Sequence, residues 1–174
     1  MAILRQICYL HNISSSVERS GLWGSIWKIQ CPNRIKHSLW RFANNSLALK
    51  CNLKRRGMEL DSSCFISQRY DEDGAHLFFK CKWARKLWRE LGWESVREQL
   101  STLMDVKQCV ELLLALPNEK RSLLAMLLNN LWWERNRVRG GESRSPQELA
   151  WLTWRQSEEF KELTKLHPGT RGNQ

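Results

Sequence analysis

The chain is poor in residues that stop helices. Four prolines and nine glycines are spread over 174 residues, and few of them fall inside apolar runs, so long segments are free to be helical. Six cysteines are too few for a disulfide scaffold at this length. Cys8, Cys31, Cys51 and Cys109 each stand among apolar or helical residues and read as buried or free thiols. No apolar run reaches the ~18 residues of a membrane span; the best, SLLAMLLNNLWW, is interrupted by Asn129 and Asn130. The opening MAILRQICYLHN has too short an apolar part, and no small-residue cleavage site, for a secretory signal. A reducing intracellular compartment, nuclear or cytoplasmic, is expected. Alternating strand patterns and internal repeats are also missing, and GLWG and RGGE lack the spacing and preceding strand of a phosphate loop.

One absence is local. From Arg19 to Met58 there is no aspartate or glutamate, while Arg19, Lys28, Arg34, Lys36, Arg41, Lys50, Lys54, Arg55 and Arg56 all carry positive charge. The net charge is +10, and the rest of the chain is nearly balanced, so the excess sits in one segment. A localised excess of this kind is what a polyanion-binding surface requires. Lys36, Arg41, Lys50, Lys54, Arg55 and Arg56 are the candidates to hold phosphates of RNA or DNA without sequence preference. Trp40 or Trp23 offers a ring on which an exposed base would stack. A solvated basic face with no partner has the same sequence signature.

What is present is helical. In RIKHSLWRFANN, Ile35, Leu39 and Phe42 share one face, with Lys36 and Arg41 away from it. NLKRRGM closes a second short helix, with cations in the last turn, Gly57 in the left-handed position and Met58 placed to pack back. From Ala75 the stripe Leu77, Cys81, Ala84, Trp88, Leu91 predicts a helix that Asp73 caps and Gly92 stops. DVKQCVELLLALP and NEKRSLLAMLLNNLWWERNRVRGG predict two more, closed by Pro117 and by paired glycines. SPQEL opens the last helix: Ser145 as N-cap, Pro146 at the first position and Glu148 completing a capping box. Its apolar side is Leu149, Leu152, Phe160, Leu163 and Leu166, and the leucine-rich surroundings of Trp132, Trp133, Trp151 and Trp154 read as core. The fold class is mainly α.

Between these helices lies CFISQRYDEDGAHLFFKC, a polar loop running into a helix. Cys64, His76 and Cys81 are three candidate zinc ligands. A fourth, closing a C-x2-C pair, is expected at position 67, which holds Ser67. A serine hydroxyl stays protonated near neutral pH and is a poor zinc ligand, so the fourth ligand is missing; Asp71 or Asp73 could supply an oxygen instead. In a regular helix, residues five apart point about 140° away from each other. His76 and Cys81 therefore converge only where the helix start is bent. Cys81 and His76 lack the orienting third group of a nucleophile pair, and no pocket of ionisable groups is evident, so no enzyme activity is expected.

Residues 23–93 resemble the zinc-binding region found beside the reverse transcriptase of plant LINE-type (non-LTR) retrotransposons. IWKIQCPNRIKHSLWR, NSLALKCNLKRRGM, the Cys64 loop and HLFFKCKWARKLW carry the resemblance. Within them Trp27, Lys28, Pro32, Ile35, Lys36, Trp40, Arg41, Asn52, Leu53, Arg56, Gly57, Cys64, His76, Leu77, Phe78, Cys81, Ala84 and Trp88 match the family pattern in order. WWERNRV and SPQEL resemble the helical segment that follows, extending the likeness to about residue 165. Ser67 stands in place of the family's second cysteine, and Ser38 in place of its phenylalanine. The resemblance implies a small helical domain with an irregular, degenerate zinc knuckle, a non-catalytic role, and RNA or DNA handling beside a polymerase. The division it suggests is a lead-in over 1–21, a zinc-binding-like domain over 22–93, a helical appendage over 94–167 and a disordered tail over 168–174. With neither a polymerase domain before it nor a ribonuclease H domain after it, the chain is expected to be a free-standing fragment of a retroelement polyprotein. The alternatives are a helical protein-interaction module and a remnant without selected function.

Overall fold

A computed structural model of the protein describes residues 19–103 and 105–166. The tail over 168–174, the first 18 residues and Cys8 lie outside them. The described chain forms α1 (Arg19–Trp27), α2 (Asn33–Ala43), α3 (Lys50–Arg55), a π-turn (His76–Lys80), α4 (Lys82–Glu90), α5 (Glu94–Thr102), α6 (Val106–Ala115), α7 (Asn118–Arg139) and α8 (Pro146–Leu166). Among the described residues no strand forms, and one antiparallel bridge joins Ser63 to Asp71. The mainly α expectation holds. No helix among them is long and apolar enough to cross a membrane.

Local signals place most of these boundaries. Pro32 separates α1 from α2, and Ile35, Leu39 and Phe42 are buried as the stripe predicts. Past α3, Gly57 takes φ +88° and the Met58 N–H reaches the Leu53 carbonyl at 3.2 Å, closing the helix end. The Met58 side chain nevertheless stays exposed instead of packing back. Gly141 at φ +86° and the Glu142 N–H on the Arg137 carbonyl end α7 in the same manner. The capping box of α8 forms: Ser145 N–H donates to Glu148 at 2.7 Å, and Glu148 N–H donates back to the Ser145 hydroxyl at 3.2 Å. Backbone donation from Ser145 holds the Glu148 carboxyl below its ordinary pKa.

Three features differ from expectation. Residues 94–102, given no element from sequence, form α5, which buries Val96, Arg97 and Leu100. The helix expected to run on from Ala75 is broken at Cys81, whose backbone is extended (φ −55°, ψ 133°). The tryptophans read as core divide: Trp132 is buried, but Trp133, Trp151 and Trp154 are more than half exposed. The reason lies in the register of α8. Its inward positions Leu149, Ala150, Thr153 and Ser157 are mostly small, which lets α8 lie close to α7. Asn130 of α7 then donates to the Thr153 hydroxyl at 2.9 Å and to Gln156 at 3.0 Å. Asn129 and Asn130, which interrupt the apolar run in sequence, are buried here.

The buried apolar cluster extends from Ile26 in α1 through Leu77, Cys81 and Trp88 to Leu124–Leu131 in α7 and Leu149 in α8. One weak point is a cavity of about 10 Å³ bounded by Ser38, Phe42, Phe78, Leu128, Asn129 and Trp132. Asn129 Oδ1 is buried there without a hydrogen-bond partner among the described residues. Ser38 is half-buried at its mouth. A leucine at this position would fill the small remaining space, so Ser38→Leu should add stability of about 1 kcal/mol, or about 2–4 °C in thermal midpoint. A lower midpoint by calorimetry would show that this site is already full.

Candidate metal centre

The loop from Asp61 to Asp73 is folded back on itself. Cys64 N–H donates to the Tyr70 carbonyl at 2.9 Å, and Glu72 N–H to the Ser62 carbonyl at 2.7 Å. Inside it Cys64, Phe65, Ile66, Ser67 and Gln68 make a tight turn. Gln68 N–H closes it on the Cys64 carbonyl at 2.9 Å, with Gln68 at φ +53°. This is the short knuckle in which residues 64 and 67 face one point. The second half of the site comes from the π-turn. Asp73 caps it as expected, accepting from His76 N–H at 2.6 Å and, through its carbonyl, from Leu77 N–H at 3.0 Å. The wider π-turn and the extended Cys81 backbone supply the bend that a regular helix lacks, and Cys81 N–H returns to the His76 carbonyl at 2.7 Å.

Cys64, His76 and Cys81, all buried, thus bring their ligand atoms within 4.8 Å of one another. In a tetrahedral zinc site with bonds of about 2.0–2.3 Å, ligand atoms stand roughly 3.3–3.8 Å apart, so a small contraction would suffice. Ser67 completes the group: its hydroxyl lies 3.1 Å from His76 Nε2. The thiols are prepared unequally. The Cys64 pKa is lowered, first by a hydrogen bond from Cys81 and further by the Ser67 N–H and hydroxyl and the Ile66 N–H, against burial. That of Cys81 is raised, first by the same hydrogen bond to Cys64 and then by burial, while the Trp83 and Ala84 N–H groups oppose the rise. Donor types and spacing fit a zinc ion on three protein ligands, with a neutral hydroxyl at the fourth place. The acidic alternatives are engaged elsewhere: Asp71 accepts from the Ser62 hydroxyl at 2.5 Å, and Asp73 caps the π-turn.

A second assembly braces this loop and has no signature in the sequence. Glu72, fully buried, accepts from Arg135 Nε at 2.9 Å and Nη2 at 2.5 Å and from Lys50 N–H at 3.1 Å through one oxygen. Its other oxygen takes the Phe65 N–H at 3.3 Å. Arg135 also donates to the Ala48 carbonyl at 3.2 Å, and its guanidinium lies 4.7 Å from the centre of the Phe65 ring. Arg135 belongs to α7, so the long helix is pinned to the residue that follows Cys64.

The six cations named for phosphate binding have different fates. Lys50 is buried, its ammonium 3.3 Å from Asp61 and over the Phe65 ring at 3.9 Å. Lys36 donates to the Trp27 carbonyl at 2.9 Å. Arg55 donates to Asn52 at 3.2 Å, and Asn52 in turn holds Asn45 and the Leu47 carbonyl, tying α3 to the end of α2 where Arg41 stands. Arg41, Lys54, Arg55 and Arg56 are exposed. Among the described residues, Lys50 alone of the six is paired with a carboxylate.

The site is therefore that of a small helical domain with a Cys–His–Cys metal knuckle. The family described as zinc-binding in reverse transcriptase matches residues 7–88, a span that holds the whole cluster, and the chain is similar to that family over this stretch. Comparison with curated proteins and with solved structures gave no match.

Proposed function

We propose that the chain is a non-catalytic nucleic-acid-binding module derived from a non-LTR retrotransposon polyprotein, in which the knuckle orders the loop beneath a basic surface. The carrying observation is that Lys36, Arg41, Lys54, Arg55 and Arg56 come from an acid-free segment and meet no carboxylate partner among the described residues. Cations left without carboxylates remain available to phosphate oxygens. Lys50 drops out of the contact set, because its ammonium is committed to Asp61 and Phe65. With about five phosphates neutralised, log Kd against log salt for duplex should have a slope of magnitude about 4–5. Titration of a labelled duplex at several salt concentrations measures it, and a flat response would rule the reading out.

A second reading has one observation in its favour. Trp133 on α7 and Trp151 and Trp154 on α8 are exposed, and large exposed aromatics serve protein docking. That reading requires a protein partner whose binding depends little on salt and is lost on Trp151→Ala.

A further inference from the structure

Two tryptophans of the basic segment remain exposed: Trp27 by 41% and Trp40 by 40%. Trp27 ends α1, and its ring meets the His37 ring edge-on, 5.0 Å between centroids and 75° between planes. The neighbouring Lys36 holds the Trp27 carbonyl, so α2 fixes the end of α1 through two adjacent residues. On α2 the buried stripe is Ile35, Leu39 and Phe42. His37 and Trp40 fall on the opposite side, about 60° apart around the axis, as i and i+3 neighbours. Arg41 lies one turn beyond His37, and Arg34 borders the same exposed side. The Trp27 and His37 rings therefore touch on an exposed side where Trp40 follows His37 one turn along α2, edged by the positions of Arg34 and Arg41, within a stretch that has no acidic residue.

We propose that Trp27, His37 and Trp40 form a stacking platform for the bases of a single-stranded nucleic acid, with Arg34 and Arg41 meeting its phosphates. The proposal rests on the nucleic-acid reading above and narrows it to one strand. Bases in a duplex stack on each other and offer only their edges, whereas unpaired bases can lie on an aromatic side chain. A basic surface alone would favour duplex, with its denser charge; the rings are what change the preference.

The test compares a fluorescein-labelled oligothymidylate, an oligouridylate and a DNA duplex of the same length, by anisotropy at several salt concentrations. The parent protein should bind one or both single strands more tightly than the duplex. Trp40→Ala should weaken single-strand binding by about tenfold while leaving duplex binding and the salt slope unchanged, and Trp40→Phe should restore most of it. Trp27→Ala should act in the same direction. Arg41→Gln should weaken binding to all three probes and reduce the salt slope by about one. Single-strand binding unchanged in Trp40→Ala, or equal losses on single strand and duplex, would overturn the platform while leaving the basic-surface reading intact. Salt-independent binding, or none, to every probe would overturn both.

Discussion

Ser67→Cys should bind zinc at least about 100-fold more tightly than the parent chain and melt at a higher temperature when zinc is present. The geometry gives the reason. The knuckle already turns position 67 toward His76, at 3.1 Å, so a thiolate there needs no change of backbone. Zinc would then have four charged or imidazole donors in place of three and a hydroxyl. Linkage converts a 100-fold gain in affinity into about 2.7 kcal/mol of added stability at saturating metal, or about 5–10 °C for a chain of this size. The measurements are competitive zinc titration and calorimetry in reducing buffer, each repeated with chelator. The gain must vanish when metal is removed, because an effect of packing alone would persist. If Ser67→Cys holds zinc no better and melts no higher, position 67 is not a coordination place, and the description of the loop as a knuckle short of one ligand is wrong.

How far this site could be read from the sequence depends on which forces fix each part. Cys64, His76 and Cys81 were legible because their residue types are chemically distinctive and the polar loop isolates them. Their convergence was not. Leu77, Cys81, Ala84 and Trp88 make a good helical stripe, and all four are buried, so the periodicity hides the break at Cys81. Only the need to bring His76 and Cys81 together signals a bend there. The helix ends closed by Gly57, Gly92 and Gly141, and the box at Ser145–Glu148, were legible because they depend on residues within a few positions of one another. The outward turn of Trp151 and Trp154 was not, because it is decided by how closely α7 and α8 approach. The small buried residues Ala150, Thr153 and Ser157 are the local signal of that close approach, and the leucines around the tryptophans mask it. The Glu72–Arg135 pair spans 63 positions and leaves no local mark at all.

Arg135→Met should cost about 3–5 kcal/mol of unfolding free energy and weaken zinc binding at a site it does not touch. Glu72 is fully buried and Arg135 nearly so. Removing the guanidinium leaves a carboxylate in the core with only the Lys50 and Phe65 N–H groups for company, and uncompensated buried charge is the expensive outcome. Glu72→Gln should cost less, since a neutral amide can still accept from those N–H groups. The double variant should lose less than the sum of the two single losses, because neither remaining group is then charged. The effect on zinc follows from connectivity. Phe65 N–H bonds to Glu72, Arg135 braces the Phe65 ring, and Phe65 is the residue after Cys64, so loosening the brace lets the knuckle sample arrangements that do not bind metal. Zinc affinity should fall by the fraction of time the knuckle is lost. Urea unfolding with and without zinc on the three variants separates the parts. A loss under about 1 kcal/mol for Arg135→Met, or unchanged zinc affinity in a destabilised variant, would mean that α7 and the metal loop are independent neighbours.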